Sequence, residues 1–307
     1  MNMYIISQQG DPMLAEVYVA RFRNDDRFIA EFVDARDPEV PMERKWVVIV
    51  STQFGCPIAC RMCDAGGDYL GDLTADEILA QIDCVVEKHG GQRLRSAEKF
   101  KVQFARMGEP ALNPAVLDVL AVLPKRYGAP GLIPCIATTA PANACSWFDA
   151  LIGLRHAVYG GKDFQLQISL NSTDEPTRDH LMPWPKMSFE TIRKLIERMH
   201  IPGTRKVALN FALTKDVPVE PGVIVDHFDP RTTCVKITPL NPTSRSQETG
   251  MDTALPPHAP EDCDALGAAL AAKGFDVILS IGDVRENEIG SNCGMAVRKI
   301  TRGQAHP

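Results

Sequence analysis

The chain has 307 residues, 45% hydrophobic and 23% charged, with a formal net charge of −6. This is ordinary globular composition, enough for one large α/β domain or two small ones, with no internal repeat or low-complexity tract. The acidic balance speaks against a dedicated nucleic-acid binder, which needs a basic surface to displace counterions from phosphates. No apolar run approaches the roughly 20 residues that span a bilayer. The start MNMYIISQQG lacks the basic and apolar stretches of a signal peptide, so no membrane association and a cytoplasmic location are expected.

Residues 16–22 and 28–33, separated by Arg-Asn-Asp-Asp-Arg, predict a hairpin, and residues 1–44 are expected to form an N-terminal hairpin extension. From 45 to 307, strand-like and helix-like segments alternate. Strands are predicted at 45–51, 101–107, 131–139, 164–170, 206–213, 233–240 and 276–281. Helices are predicted near 75–88, 114–123, 144–152, 188–200 and 261–273. Thr74-Ala-Asp-Glu77 is a capping-box start for the first helix, and Gly274 is a stop signal for the last. Alternation over roughly 230 residues predicts parallel strands with helical crossovers, an α/β fold closing as a full or partial β/α barrel. Chemistry in such folds sits on loops after the C-terminal strand ends. Cys56, Gly108-Glu109, Thr139, Ser169, Asn171 and Asn241 all follow or end predicted strands. The basic run from Lys88 through Arg93, Arg95, Lys99 and Lys101 is expected to be a solvated loop. The Pro/Ser/Thr-rich stretch 241–260 is expected to be a long mobile loop.

Three of the nine cysteines, Cys56, Cys60 and Cys63, crowd into eight residues. In a cytosolic chain this points to metal or redox chemistry rather than a disulfide framework. Most of the other six, Cys84, Cys135, Cys145, Cys234, Cys263 and Cys293, are expected to be small buried hydrophobes. Thiolates at C-x3-C-x2-C can each take one iron of a [4Fe–4S] cubane and leave the fourth iron open, where a ferredoxin cluster has four cysteine ligands. A zinc site completed from elsewhere also suits a bare triplet. The position just after the first barrel strand favours the cluster.

Taken in order, these motifs resemble the radical S-adenosylmethionine (SAM) ribosomal RNA adenine methyltransferases, the RlmN/Cfr class. The resemblance runs over about residues 16–300 and is carried by Ser51-Thr-Gln-Phe-Gly-Cys56, Gly66 to Glu77, Met107-Gly-Glu-Pro-Ala-Leu-Asn113, Ile168-Ser-Leu-Asn171, Arg178 to Pro183, Lys236 to Pro242 and Asn292-Cys-Gly294. It implies a partial (β/α)6-type radical SAM barrel, a [4Fe–4S] cluster on the three cysteines and SAM on the open iron, cleaved to a 5′-deoxyadenosyl radical. It further implies that Gly108 and Glu109 meet the SAM amino group, and that Thr139, Ser169, Leu170, Asn171 and Asn241 line its carboxylate, ribose and adenine. Polar groups at strand ends also cap neighbouring loops, which is the plain alternative for each. Cys293 matches the cysteine that accepts a methyl group from one SAM and delivers it to an sp2 carbon of the substrate. Glu31 matches the family's proposed base, with an exposed strand glutamate as the alternative.

Two departures from the family qualify this picture. The family's product-releasing cysteine lies seven residues before the first cluster ligand, where this chain has Ile49, and no cysteine precedes Cys56. The family's N-terminal RNA-docking domain corresponds here only to residues 1–15. Together with the acidic balance, these disfavour RNA as a substrate. The leading expectation is therefore a radical SAM methyltransferase acting on a small molecule or biosynthetic intermediate, supplied by a flavodoxin- or ferredoxin-type reductant. The alternatives are a divergent ribosomal or transfer RNA adenine methyltransferase, direct hydrogen abstraction without methyl transfer, and a non-catalytic Fe–S or zinc module.

Overall fold

The computed structural model describes residues 3–255, 264–283 and 285–303. The chain divides into two compact units. The first comprises the chain up to Ala59, Asp64–Ile136 and the segment from Arg285 onward. The second comprises Cys60–Cys63 and the segment from Ala137 to the residue before Arg285.

In the first unit, β1 (Met3–Asp11), β2 (Ala15–Phe22), β3 (Ile29–Ala35) and β4 (Trp46–Val50) pair antiparallel in chain order. A separate antiparallel pair, β5 (Gln53–Cys56) and β6 (Gly67–Asp72), brackets the cysteine loop. Parallel pairing then carries β4 on to β7 (Phe100–Phe104) and β8 (Leu132–Thr138). The predicted hairpin is thus β2–β3, and it continues by hydrogen bonds into the parallel strands. Trp46, Val48 and Val50 on β4 and Phe100, Val102 and Phe104 on β7 are fully buried, whereas Ile49, Lys101 and Gln103 between them are half-buried. One sheet face is therefore dry, and the other admits solvent or ligand.

The crossover from β4 to β7 carries the helix Ala75–His89, which starts at the expected capping box. Thr74 Oγ1 accepts from the Glu77 amide, and Glu77 Oε2 accepts from the Thr74 amide at 2.8 Å. Arg23 adds two bonds of 2.7 Å to the Glu77 carboxylate. Ile78, Ile82 and Val85 recur at helical spacing and are fully buried. The helix Ala115–Tyr127 similarly buries Val116, Val119, Leu120 and Leu123.

The basic run differs in part from its expectation. Arg93, Arg95 and Lys99 are exposed, but Arg93 and Arg95 sit on a short helix, Gln92–Ser96. Lys88 closes the first crossover helix by pairing with Glu16 and with the Tyr18 hydroxyl at 2.7 Å.

In the second unit, β9 (Gln165–Ser169), β10 (Val207–Leu213), β11 (Thr233–Pro239) and β12 (Asp276–Leu279) are parallel neighbours. Helices Cys145–Leu154, Phe189–Met199 and Asp264–Ala272 fall where the apolar periodicity predicts them. The expected start of the last one, residues 261–263, lies outside the described residues. Leu166, Ile168, Leu209, Phe211, Val235 and Ile237 are buried, while Gln165, Gln167 and Ser169 are half-buried.

The expectation of a long mobile loop over 241–260 is corrected for its described part. Thr243 caps the short helix Ser244–Glu248, Thr253 bridges to Thr214, and Lys215 pairs with Asp252. Residues 256–260 lie outside the described residues. Of the scattered cysteines, Cys135 and Cys234 are buried and Cys84 is half-buried, but Cys145 is exposed. Burial pushes the Cys84 and Cys234 thiols up, away from the reactive thiolate. Cys263 lies outside the described residues.

Candidate active site

The three clustered cysteines lie on the loop that joins β5 to β6, closed at its base where Cys56 pairs with Gly67. Cys56 is buried; Cys60 and Cys63 are half-buried. The turn Cys60–Cys63 is held through its backbone within the second unit. The Arg61 amide donates to the Leu181 carbonyl at 2.9 Å, and the Met62 carbonyl accepts from Thr243 Oγ1 at 2.8 Å. None of these bonds uses a thiol. Among the described residues, no three His, Cys, Asp or Glu side chains converge as a single ion requires. An all-thiol donor set fits a cubane, in which each thiolate takes its own iron.

The segment before Cys56 is stitched to the loop after β7. The Thr52 and Gln53 amides both donate to the Met107 carbonyl, at 2.7 and 3.2 Å, and the Met107 amide donates to Ser51 Oγ at 3.1 Å. Gln53 Oε1 accepts from the Glu109 amide at 2.8 Å. Asn113 Nδ2 donates to the carbonyls of Thr52 and Leu73 at 2.7 and 2.8 Å. Gly108 lies between these contacts at φ +104°, and a Cβ there would stand 2.6 Å from Thr52 Oγ1 and 2.7 Å from Gln53 Cβ. Only glycine fits both the conformation and the space. Glu109 is 3% exposed, and its Oε1 accepts from the Ala111 amide at 3.1 Å, so it also caps the turn Pro110–Leu112. A carboxylate can accept several hydrogen bonds at once, which leaves an ammonium partner compatible with that cap.

In the second unit the remaining polar candidates gather at C-terminal strand ends. Thr139 follows β8 and is buried; its carbonyl accepts from Arg178 Nη2 at 3.1 Å. Arg178 is itself buried, bonded also to the Met187 carbonyl at 2.7 Å, and desolvation pulls its pKa down to about 10. This accounts physically for the arginine that opens the Arg178 to Pro183 motif. Ser169 ends β9. Leu170 has a buried side chain, and its amide donates to the Asn210 carbonyl at 3.0 Å, so any ligand contact would fall to its backbone. Asn171 adopts φ +60°, a left-handed conformation that asparagine tolerates, and its Oδ1 accepts from the Ala212 amide at 3.1 Å. Asn241 is exposed, two residues past β11, with its carbonyl accepting from the Thr243 amide at 2.8 Å. Sequence reasoning passed over Asn210, which stands between Ser169 and Lys236 in the sheet register. It is buried, and its Oδ1 has no partner among the described residues.

Cys293 belongs to the first unit, on the turn before the helix Met295–Thr301. Its thiol donates to the Arg106 carbonyl, two residues before Gly108. The next residue, Gly294, is at φ +84°, and a Cβ on it would stand 2.1 Å from the Ala65 amide nitrogen and 2.4 Å from the Asp64 carbonyl carbon. The Cys293 turn therefore rests on the backbone that leaves Cys63 and, on its other side, against the approach to Gly108-Glu109. Asp64 and Arg298 add an ion pair of 2.7 Å to the same packing. Glu31 is not an exposed strand residue: it is fully buried, and its carboxylate accepts from the amides of Gly294 and Val297 at 2.5 and 2.9 Å.

No family model matches the chain. Among curated proteins it is 28% identical, over 225 residues, to the "Probable dual-specificity RNA methyltransferase RlmN" of Chlorobium phaeobacteroides, covering 68% of this chain and 58% of that protein. It is 26% identical, over 271 residues, to the protein of the same name from a Synechococcus strain, covering 86% of this chain and 73% of that one. A solved radical SAM methyltransferase from Sphaerobacter thermophilus superposes with a TM-score of 0.72 at 20% identity, covering 95% of this chain and 80% of that structure. The chain resembles the RlmN-type radical SAM methyltransferases. Its α/β fold is the fold of a radical SAM methyltransferase, as the motifs led us to expect.

Radical SAM methyltransferases use SAM and a [4Fe–4S] cluster. The chain spans little more than half the length of the Chlorobium relative. Both relatives carry RNA methyltransferase names. No helix among the described residues is long and apolar enough to cross a membrane.

Proposed function

We propose that the protein is a radical SAM methyltransferase in which Cys56, Cys60 and Cys63 hold the cluster and Cys293 carries a one-carbon unit to an sp2 carbon of the substrate. A bound cluster and SAM would supply the one-electron chemistry and the methyl group. The chain's own residues hold and orient. Glu109 and the backbone at Gly108 would take the SAM ammonium. Thr139, Ser169, Leu170, Asn171 and Asn241 would take its carboxylate, ribose and adenine. The observation that carries the reading is the seat of Cys293, between the backbone leaving Cys63 and the carbonyl of Arg106. A cysteine that must meet a methyl donor bound at the cluster needs a seat of that kind. A flavodoxin- or ferredoxin-type protein would serve as reductant.

The names of the relatives favour an RNA base as the acceptor. A second reading, a small-molecule acceptor, is favoured by Ile49. It sits mid-strand on β4, paired with Val33 and Gln103, where the family has the cysteine that frees the product from its covalent link to the protein.

Changing Cys293 to Ala or Ser is expected to abolish methylated product while SAM cleavage persists, because neither change touches the cluster loop or the Gly108-Glu109 segment. The assay offers ribosomal RNA fragments and a small-molecule extract in parallel, with SAM and dithionite. Full product formation by Cys293→Ala would overturn the carrier role. Methyl transfer to RNA that survives physiological salt would decide between the two acceptors.

A further inference from the structure

We propose that the buried pair Glu31–Arg106 is a latch whose task is to hold Cys293 in its seat, which makes both of them positioning residues. This inference rests on the reading of Cys293 as the methyl carrier. Glu31 and Arg106 approach to 2.7 Å with side chains 0% and 4% exposed. A buried ion pair seldom stabilises a fold more than apolar residues of the same size, so its retention calls for a local reason. That reason lies in where its remaining bonds go. Arg106 Nη1 donates to the Ser291 carbonyl, Glu31 Oε1 accepts from the Gly294 amide, and Glu31 Oε2 accepts from the Val297 amide. The carbonyl of Arg106 itself accepts from the Cys293 thiol.

One ion pair thus holds the chain on both sides of Cys293, beside the backbone carbonyl that accepts from its thiol. With both oxygens of Glu31 engaged by the turn and by Arg106, its work is to fix the carrier rather than to take a proton from substrate. The surrounding segment has independent anchors: Asp64 with Arg298, and Gln9 Nε2 donating to the Ile289 carbonyl at 3.1 Å. Releasing the latch should therefore loosen the Cys293 turn without unfolding what carries it.

The test uses the full chain with Glu31→Gln, and with the charge-free pair Glu31→Gln/Arg106→Gln in case the lone buried Arg106 cation prevents folding. Iodoacetamide alkylation of Cys293 is followed by peptide mass spectrometry, with the exposed Cys145 of the same molecule as reference. The latch predicts a rise of about tenfold or more in the rate at Cys293 relative to Cys145, as local opening replaces a fixed turn. It also predicts a severalfold lower methylated fraction at Cys293 in protein made in cells, with iron content unchanged. An unchanged ratio of the two alkylation rates, or an equal rise at both cysteines, would overturn it. If the ratio rises but Cys293 of the wild type is never methylated, the latch stands and the carrier reading falls.

Discussion

Protein in which Cys56, Cys60 and Cys63 are all changed to alanine is expected to lose its iron, its brown colour and all SAM cleavage. Wild-type protein purified without oxygen should carry about four irons per chain when the cubane is complete. The loss should be total because the three thiolates are the only protein ligands proposed for the cluster. The fold should survive, because the turn between them is tied through the Arg61 amide and the Met62 carbonyl, neither of which the substitutions remove. Iron analysis, the visible spectrum and 5′-deoxyadenosine formation read the first effect, and a thermal melt reads the second. A colourless wild-type protein holding one zinc ion would remove the cluster from the account.

Gly294→Ala is expected to have the next largest effect. The residue sits at φ +84°, where a side chain costs about 1–2 kcal/mol through contact with its own backbone. The new methyl group would also stand 2.1 Å from the Ala65 nitrogen. That neighbour is backbone and cannot rotate aside, so the Cys293 turn must lift off the chain that leaves Cys63. A destabilisation of order 3 kcal/mol is expected, with loss of methyl at Cys293. Gly222 is the control. It lies in the helix Pro221–His227 with no atom near its added Cβ, and alanine there should be neutral or stabilising by up to about 1 kcal/mol. If Gly294→Ala melts with the wild type and keeps its methyl, the turn does not pack as described.

The inner parallel strands were legible because they are largely buried, leaving β-rich segments such as Val47-Val-Ile-Val50 and Val207-Ala-Leu-Asn-Phe211. The capping box at Thr74 was legible because its two bonds are local. β1 was not. It is an edge strand with Tyr4, Ile5 and Ile6 exposed and a bulge between Ile5 and Ser7, and both features break the alternation that betrays a half-buried strand. The hairpin β5–β6 was hidden because its strands are short and already read as motif.

At the site, the positions of the cysteine loop and of Gly108-Glu109 beyond their strands could be read directly, since local sequence fixes both. The burial of Glu31 could not, because its partners Gly294 and Val297 lie more than 260 positions away in the chain. Arg106 gave one weak signal, a cation between an apolar strand and a glycine turn. Nothing in sequence spacing announces that it grips Ser291. The mobile loop expected from Pro/Ser/Thr content failed for 241–255 because Ser246 and Thr249 turn their hydroxyls to local carbonyls, and Thr243 caps the short helix while donating to the distant Met62 carbonyl.

The account turns on Cys293 as a carrier, and the most direct measurement is the mass of the peptide spanning Gly290 to Arg298 from protein made in cells and purified without oxygen. The account predicts a fraction of that peptide with one added methyl on Cys293, present in the wild type and absent when Cys56, Cys60 and Cys63 are replaced. An iron-loaded wild-type protein whose Cys293 is never methylated, and which methylates its substrate equally well as Cys293→Ala, would contradict it.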